Sequence, residues 1–270
     1  WFAVLWEFFS EPRKPNHTFS PELPGDVWLG ANDGEEGLGD LIGMRAIADH
    51  FGDQVKAYLV VEGMSLGQVY HRALGVQRYR ITARTAGGHS WVDFGKPSAI
   101  HELSRLVNRL EKIDVPSSPR TTYNVGVISG GTSVNTIASE ASLELDLRSE
   151  DYSALQTLIM QVQRLVGEAS HPGVELTYEI IGSRPAGALP ASHPLIMLAQ
   201  QALIAQGYQP KLVIGSTDAN IPLSRGYPAV CIGITHGYGA HTTGEHIQTA
   251  PISKGISQLI ELVRSTFSRL

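Results

Sequence analysis

The chain has 270 residues, of which 42% are hydrophobic and 17% charged, and its formal net charge is -5. This composition is typical of a globular protein that is neither disordered nor membrane-spanning. The negative charge argues against nucleic acid as a partner, because nucleic-acid binding needs a basic face. A length of 270 residues favours two domains over one.

The N-terminal residues and the single cysteine give the first expectations. Residues 1–9 are apolar apart from Glu7, which predicts a buried helix too short to span a bilayer. Because the chain starts in such a core-like segment, we expect it to be part of something longer. Cys231 lies in an apolar run, so we expect a buried thiol and no internal disulfide. This is compatible with a reducing compartment, and we expect a cytoplasmic protein.

The elements up to residue 74 predict a βαβ unit. An apolar run at 27–29 predicts a strand that leads into Gly34-Glu35-Glu36-Gly37, residues 40–51 have the spacing of an amphipathic helix, and 57–61 is a buried-strand run. Such units build parallel sheets, which place their chemistry at the carboxyl ends of strands. Two adjacent carboxylates at such a place would normally be paired with cations or a metal.

From residue 75 the pattern changes to β-α-β-β-α-β. Strands are predicted at 76–83, 123–129, 141–147 and 174–181, with helices at 98–113 and 155–165. This order is that of a split ferredoxin-like sandwich, which can fold as an insertion. Gly75 and Gly182 flank the insertion and are predicted to act as hinges, and 187–194 is predicted to be a linker.

The rest of the chain returns to the first pattern. Helices are predicted at 195–206 and 252–267, and short buried strands at 211–214 and 229–234. The sequence therefore predicts an α/β fold with a discontinuous, parallel-type α/β domain. Residues 1–74 and 188–270 form this domain, and residues 75–187 form an α+β insertion.

Three groups of polar side chains follow predicted strands: Glu35-Glu36, Glu62 and His241. Carboxylate oxygen and imidazole are ligands that zinc accepts, and a catalytic zinc keeps one position open for water. Of two adjacent carboxylates, one can bind metal while the other takes the proton from water. A solvated turn explains each group separately, so that interpretation stays open.

A competing pattern is Gly63-Met64-Ser65-Leu66-Gly67, which matches G-x-S-x-G and follows a strand. Asp218 and His241 come later, in the chain order of an α/β-hydrolase triad. That fold needs a helix directly after the serine, whereas residues 68–73 are a short segment. The triad would also leave the adjacent glutamates without a role. A serine hydrolase that uses Ser65 remains an alternative.

Seven short motifs follow one another along the chain. They are Gly34-Glu35-Glu36-Gly37, Val61-Glu62-Gly63, Gly87-Gly88-His89-Ser90, Gly131-Thr132-Ser133-Val134-Asn135, Asp146-Leu147-Arg148, Ser216-Thr217-Asp218-Ala219 and His241 with Glu245. In this order they resemble the co-catalytic zinc peptidases and deacylases that include peptidase T, carboxypeptidase G, aminoacylase, acetylornithine deacetylase and succinyl-diaminopimelate desuccinylase. The match runs from about residue 25 to the C-terminus, and residues 88–99 are most similar to the peptidase T branch.

The resemblance implies a metal-dependent hydrolase of peptide or N-acyl amide bonds, with a peptidase T-like aminopeptidase favoured. In that family the first glutamate of the pair is the general base and the second is a zinc ligand, which carries over onto Glu35 and Glu36. Glu62 corresponds to the carboxylate on the other zinc, and His241 to the distal histidine ligand. The expected cofactor is therefore zinc, with two ions in the family.

By the same resemblance, the discontinuous domain is a phosphorylase/hydrolase-like catalytic domain. The insertion resembles the family's lid, or dimerisation, domain, which closes over the substrate and often supplies a homodimer interface. His89 is implied to polarise the scissile carbonyl, commonly across the dimer in the partner's site. Ser216 and Thr217 would offer turn amides to the substrate.

Asn135 and Arg148 resemble the family's substrate-anchoring groups. The fork of donors in Arg148 suits a carboxylate. The alternative for this arginine is a surface ion pair beside Glu144 or Glu150.

The chain departs from the family at its first two metal motifs. The H-x-D motif and the bridging aspartate have no counterpart in this sequence, so Glu36, Glu62 and His241 are three of five expected ligands. A catalytic zinc normally needs three protein ligands. We therefore expect a truncated form that cannot hydrolyse amides alone. A non-catalytic protein that dimerises or binds amino-acid derivatives is the alternative.

Overall fold

The computed structural model describes residues 23–37, 39–240 and 242–270. The predicted N-terminal helix and the predicted ligand His241 lie outside the described residues. The chain divides into two compact units, one formed by Trp1–Arg72 with Ala188–Leu270 and the other by Ala73–Gly187. In the part of the chain that is described, no helix combines the length and the apolar character needed to cross a membrane.

The helices and strands follow one another in this order along the chain: α1 (Ile42–Phe51), β1 (Tyr58–Glu62), β2 (Gln68–Ala73), β3 (Gly75–Thr85), β4 (Gly88–His89), α2 (Ala99–Leu110), β5 (Thr121–Gly130), β6 (Thr136–Ile137), β7 (Glu140–Ser149), α3 (Tyr152–Ala169), β8 (Val174–Arg184), β9 (Gly187–Ala188), α4 (Pro194–Ala205), β10 (Lys211–Gly215), α5 (Asn220–Ser224), β11 (Ala229–Gly233), β12 (Gly237–Tyr238), β13 (His246–Ile247) and α6 (Ile252–Arg269).

A mixed sheet forms the centre of the first unit. Its strand order is β1-β11-β2-β10, and β9 pairs with β2. β1 and β11 run parallel, so that Glu62 and Gly233 end the two strands side by side. All five residues of β11 are buried, which agrees with its unbroken apolar sequence and includes the predicted burial of Cys231. The carboxyl ends of β1 and β11 therefore share one edge of the sheet.

The second unit is a four-stranded antiparallel sheet in the order β5-β7-β3-β8. This is the strand order of a ferredoxin-like sandwich. Along β7 every second residue is buried, and Leu143, Leu145 and Leu147 enter a core formed with helices α2 and α3. The opposite face of this strand carries polar side chains, as the alternating sequence predicts. The predicted α/β fold with an inserted ferredoxin-like domain is confirmed.

Three local predictions are corrected by the structure. No strand forms within the described residues 23–37, so the apolar run at 27–29 is not a strand. A short apolar run needs a neighbouring strand to take up its hydrogen bonds, and Trp28 instead contacts the ring of Phe51 at 5.3 Å between centroids. Gly75 and Gly182 lie within β3 and β8, not in segments that connect the two units. The predicted linker begins with strand β9.

Two glycines in long helices make a matched test of helix packing in each unit. A Cβ on Gly255 of α6 would lie 1.9 Å from the backbone oxygen of Ile234, whereas one on Gly167 of α3 would meet nothing within 4 Å. We expect Gly255→Ala to destabilise the chain by about 1–3 kcal/mol through overpacking. Gly167→Ala should stabilise it by about 1 kcal/mol through helix propensity. Urea unfolding measures both, and effects of the same sign would contradict this packing.

Candidate functional site

Glu35 and Glu36 lie on a tight loop that enters α1 and is shaped by glycines. Gly34 and Gly37 have φ values of +73° and +59°, in the left-handed region that favours glycine. A Cβ on Gly39 would lie 2.5 Å from the backbone oxygen of Gly34, so these two glycines are in backbone contact. The amide of Gly39 also donates to the backbone oxygen of Glu36 at 3.0 Å. The glycines thus fix the loop that carries the two carboxylates.

Glu62 is the last residue of β1, and its side chain is half-buried. Burial raises the pKa of Glu62 to about 7, and repulsion from Glu35, Asp218 and Glu36 adds to the shift. Like charges in partly buried surroundings disfavour the ionised form of a carboxyl group. Four carboxylates from three separate segments therefore share one region of the first unit.

Asp218 was assigned by sequence only to the serine-hydrolase alternative, and the structure places it among these acids. It is 9% exposed on the turn after β10, and its Oδ2 accepts a hydrogen bond from Asn32 Nδ2 at 2.8 Å. Its position directly after a strand is a signal that sequence reasoning could have used. Asn32 carries no comparable signal, because its partner is 186 residues away in the chain.

The predicted Ser216-Thr217 turn lies next to this aspartate. Ser216 is half-buried, while Thr217 is buried. The amide of Thr217 donates to Asn220 Oδ1 at 2.9 Å. This amide, which was predicted to contact the substrate, therefore has a hydrogen-bond partner within the protein. The side chains of Thr217 and Cys231 are hydrogen-bonded to each other. Burial raises the pKa of the Cys231 thiol well above its ordinary value. The turn is therefore tied to strand β11.

The donor set around Glu62 fits a cation. A positive charge would relieve the repulsion that helps to raise the pKa of Glu62, and carboxylate oxygens are ligands for zinc and for harder divalent ions. Glu36 and Glu62, the predicted ligands, lie in this region beside the predicted base Glu35. Among the residues described, which omit His241, no group of three His, Cys, Asp or Glu is placed to hold a metal ion.

The structure does not supply the elbow that a serine hydrolase needs. Ser65 has a left-handed φ of +70°, but residues 68–73 form strand β2 where the α/β-hydrolase elbow requires a helix. The Oγ of Ser65 accepts a hydrogen bond from the Tyr70 hydroxyl at 3.0 Å. Ser65 therefore has a structural partner within the sheet.

His89 lies in the second unit, on the two-stranded ribbon formed by β4 and β6, and its side chain is exposed. Its Nδ1 accepts hydrogen bonds from the amides of Trp91 and Val92, at 3.2 and 3.4 Å. A neutral imidazole that accepts at Nδ1 carries its proton on Nε2. The ribbon thus holds His89 in the tautomer that can donate from Nε2 to a carbonyl oxygen.

Asn135 lies in the turn directly before β6, close to His89. The register pairs His89 with Thr136, and the amide of Ser90 donates to the backbone oxygen of Asn135 at 3.0 Å. The side-chain Oδ1 of Asn135 accepts from Ser133 Oγ at 3.0 Å. Two of the residues that the sequence assigns to substrate contact are therefore brought together within the second unit.

Arg148 lies on β7, on the sheet face opposite the helices. Its Nε donates to Asp146 Oδ2 at 2.6 Å, and Arg78 Nε donates to Asp146 Oδ1 at 2.9 Å. The ion pair at Arg148 is thus made with Asp146, not with the Glu144 or Glu150 that the sequence suggested. A substrate carboxylate bound by this arginine would compete with Asp146.

Comparison with known proteins adds a family match for part of the chain. Residues 73–174 match the sequence profile of the peptidase dimerisation domain. No curated protein sequence matches the chain.

Several solved structures share the fold. Aminopeptidase PepT of Bacillus cereus has a TM-score of 0.71 and 19% identity, over 88% of this chain and 63% of that one. A tripeptidase of Staphylococcus aureus has a TM-score of 0.72 and 21% identity, over 85% and 62%. The Bacillus subtilis protein YxeP, described as a dinuclear metal-binding peptidase of the M20 family, has a TM-score of 0.62 and 17% identity, over 86% and 63%. At these identities the likeness is one of fold, and the chain spans less than two thirds of each relative's length.

The raised pKa of Glu62 predicts a pH-dependent stability in the presence of a chelator. Between its ordinary value of 4.5 and its folded value of about 7, the unfolded chain loses the proton that the folded chain retains. Stability should therefore fall as pH rises through this window, by roughly 1–3 kcal/mol for this partly buried group. Glu62→Gln should remove that fall in urea unfolding measured from pH 4.5 to 8. An unchanged pH profile in the variant would contradict the assignment.

Proposed function

We propose that this chain serves metal-dependent hydrolysis of peptide or N-acyl amide bonds, because residues 73–174 match the M20 peptidase dimerisation domain and the described chain has the fold of M20 peptidases. The family resemblance found in the sequence motifs is confirmed by this match. Within this class of reactions we propose a peptidase T-like aminopeptidase, because residues 88–99 are most similar in sequence to that branch. The observation that carries the proposal is the shared region of Glu35, Glu36, Glu62 and Asp218.

The carboxylates divide between holding the metal and moving the proton. Glu36 and Glu62, together with His241, would hold zinc, since carboxylate oxygen and imidazole nitrogen are ligands it accepts. When bound, the metal would lower the pKa of a water molecule and polarise the scissile carbonyl. Glu35 would take the proton from the attacking water and pass it to the leaving amine. The glycine-shaped loop carries the proposed base, Glu35, directly before the proposed metal ligand Glu36.

The second unit would supply the groups that contact the substrate. His89 would donate from Nε2 to the carbonyl oxygen, where negative charge develops during attack. Asn135, in the turn before β6, would hydrogen-bond the substrate backbone. Arg148 would bind a substrate carboxylate in exchange for Asp146, because its guanidinium is suited to a planar, two-oxygen partner.

The chain on its own is proposed to bind metal incompletely. Glu36 and His241 would serve one zinc and Glu62 the other, while a catalytic zinc normally has three protein ligands. Metal affinity is therefore a better first test of the site than turnover.

We propose that the chain also forms a homodimer through strand β5. β5 and β8 are the two edges of the sheet in the second unit, and an edge strand presents unpaired backbone groups. The dimerisation-domain match covers all of β5 but only the first residue of β8. Val127 and Ile128 on β5 are 52% and 54% exposed, as expected for residues that a partner would cover.

Single carboxamide substitutions should separate the ligands from the base. We expect Glu36→Gln and Glu62→Gln each to weaken zinc binding by about tenfold or more. Glu35→Gln should leave zinc affinity within about threefold, because a general base does not bind the metal, but it should lower any measurable turnover by at least about 100-fold. Zinc titration calorimetry and hydrolysis of tripeptides and N-acetyl amino acids measure these effects.

Glu261→Gln is the matched control, since Glu261 is an exposed carboxylate on α6 in the same unit. It should leave zinc affinity unchanged. Zinc binding that neither Glu36→Gln nor Glu62→Gln weakens would contradict the assignment. Tight binding of amino-acid derivatives in the presence of a chelator would instead support a non-catalytic binding protein.

The proposed dimer interface can be tested by introducing a lysine on each edge strand in turn. Lysine on an edge strand opposes pairing with another strand, so Ile128→Lys on β5 should convert the dimer to a monomer in sedimentation experiments. Ile180→Lys on β8 is the control, because Ile180 is similarly exposed, at 59%, on the other edge. Loss of the dimer in the control variant alone would place the interface on β8.

A further inference from the structure

The turn at residues 63–67 connects β1 to β2 and follows Glu62 directly. It is hydrogen-bonded to the segment that leaves β11 at the same edge of the sheet. Ile234 donates its amide to the backbone oxygen of Glu62 at 3.0 Å, and Thr235 donates to that of Gly63 at 3.2 Å. In turn, the amide of Leu66 donates to the backbone oxygen of Thr235 at 2.9 Å. The backbone that follows Glu62 is thus held by three hydrogen bonds to residues 234 and 235.

Two glycines allow this turn to lie against the neighbouring segment. A Cβ on Gly233 would lie 1.9 Å from the backbone oxygen of Met64, and one on Gly237 would lie 2.4 Å from the Met64 sulfur. The first contact involves backbone atoms, which cannot rotate away as a side chain can. The position of the turn is therefore fixed closely against the end of β11.

Ser65 is the strained residue of the turn. Its φ of +70° lies in the left-handed region, where a residue with a Cβ is disfavoured and glycine is common. Glycines begin and end the turn, yet this central position carries a serine. Its hydroxyl accepts the hydrogen bond from Tyr70 at 3.0 Å. The side chain thus makes a contact that a glycine at this position could not make.

Tyr70 connects this turn to the strand that leads to Asp218. It lies on β2, opposite Cys231 of β11. Its ring packs on Gly215, where a Cβ would lie 2.6 Å from two ring carbons, and β10 ends at this glycine just before the aspartate turn. Burial raises the pKa of the Tyr70 hydroxyl further above neutral pH, so the group is protonated and can donate to Ser65.

We propose that Tyr70 is a positioning residue that orients the Glu62 carboxylate through Ser65 and the 63–67 turn. Its ring sets the spacing to β10, and its hydroxyl holds Ser65 in the left-handed conformation. The inference rests on the proposed function, because its value to the protein is a fixed ligand for the metal. Groups that orient a metal ligand contribute to affinity without touching the ion.

Amide hydrogen exchange on the intact chain, with no metal added, tests the positioning itself. We expect Tyr70→Phe and Ser65→Ala each to speed exchange at Leu66, Ile234 and Thr235 by about three- to tenfold, the range for one lost hydrogen bond. The double variant should exchange no faster than either single one, because both remove the same bond. Unchanged exchange at these three amides in Tyr70→Phe would overturn the proposal.

Tyr58→Phe is the matched control. Tyr58 lies on β1 in the same sheet, and its hydroxyl donates to the backbone oxygen of Gly52 at 2.6 Å. This variant should lose a hydrogen bond and some overall stability while leaving exchange at Leu66, Ile234 and Thr235 unchanged. Faster exchange at these amides in Tyr58→Phe would show a general loss of stability and overturn the specific role of Tyr70.

Cobalt(II) titration tests the consequence for the site, with the absorption spectrum of the bound ion as a readout of ligand geometry. Tyr70→Phe and Ser65→Ala should weaken cobalt binding by about tenfold and alter the spectrum, whereas Tyr58→Phe should not. Altered exchange with unchanged cobalt binding would overturn the role in orienting Glu62. A wild-type chain that binds no cobalt would count against the proposed function, and the exchange result would still decide the role of Tyr70 in holding the turn.

Discussion

The partial burial of Glu62 beside Glu35, Glu36 and Asp218 is the constraint on which the first unit depends. Like charges this close in a partly buried region raise the free energy of the folded chain unless one carboxyl keeps its proton or a cation is bound. Burial first, and then the neighbouring carboxylates, raise the pKa of Glu62 to about 7, so we expect this carboxyl to retain the proton. The segments that carry Glu35 and Glu62 are held by close contacts at glycines.

In most of those contacts the backbone of a glycine lies against the backbone of another residue or against an aromatic ring. The loop of Glu35 closes where Gly39 meets Gly34, and the turn after Glu62 lies on Gly233. At each of these places a side chain would enter space that other atoms already occupy. Close backbone approach is a common reason for glycine at functional sites. The acids are consequently held in place by elements whose packing leaves little freedom to separate them.

The sequence predicted those parts of the fold that depend on local periodicity. Strand β7 and helix α3 follow from alternating and helical apolar spacing, and both are found where expected. Strand β2 was not predicted, because its sequence becomes a strand only between β11 and β10, which lie far along the chain. The strand predicted at 27–29 was wrong because this apolar run has no described strand to pair with.

In the candidate site, too, residues in short motifs could be predicted from the sequence, whereas contacts between distant residues could not. The glutamates could be named from short motifs, whereas the contact of Asn32 with Asp218 joins residues that no local pattern connects. The serine motif at Ser65 was the most misleading signal, because its strained backbone also occurs in nucleophile elbows. Its meaning depends on the element that follows, and a strand there brings Tyr70, not a catalytic base, to the hydroxyl.

The chemistry of the proposed reaction is divided between two units that are each ordered internally. In the first unit the glycine-lined turns fix the acids, and in the second the amides of Trp91 and Val92 fix the tautomer of His89. Each arrangement is made by contacts within its own unit. Preorganised groups need little rearrangement when charge develops during a reaction. The proposed proton-accepting and carbonyl-polarising roles can therefore be tested separately, because substitutions in one unit should leave the internal geometry of the other intact.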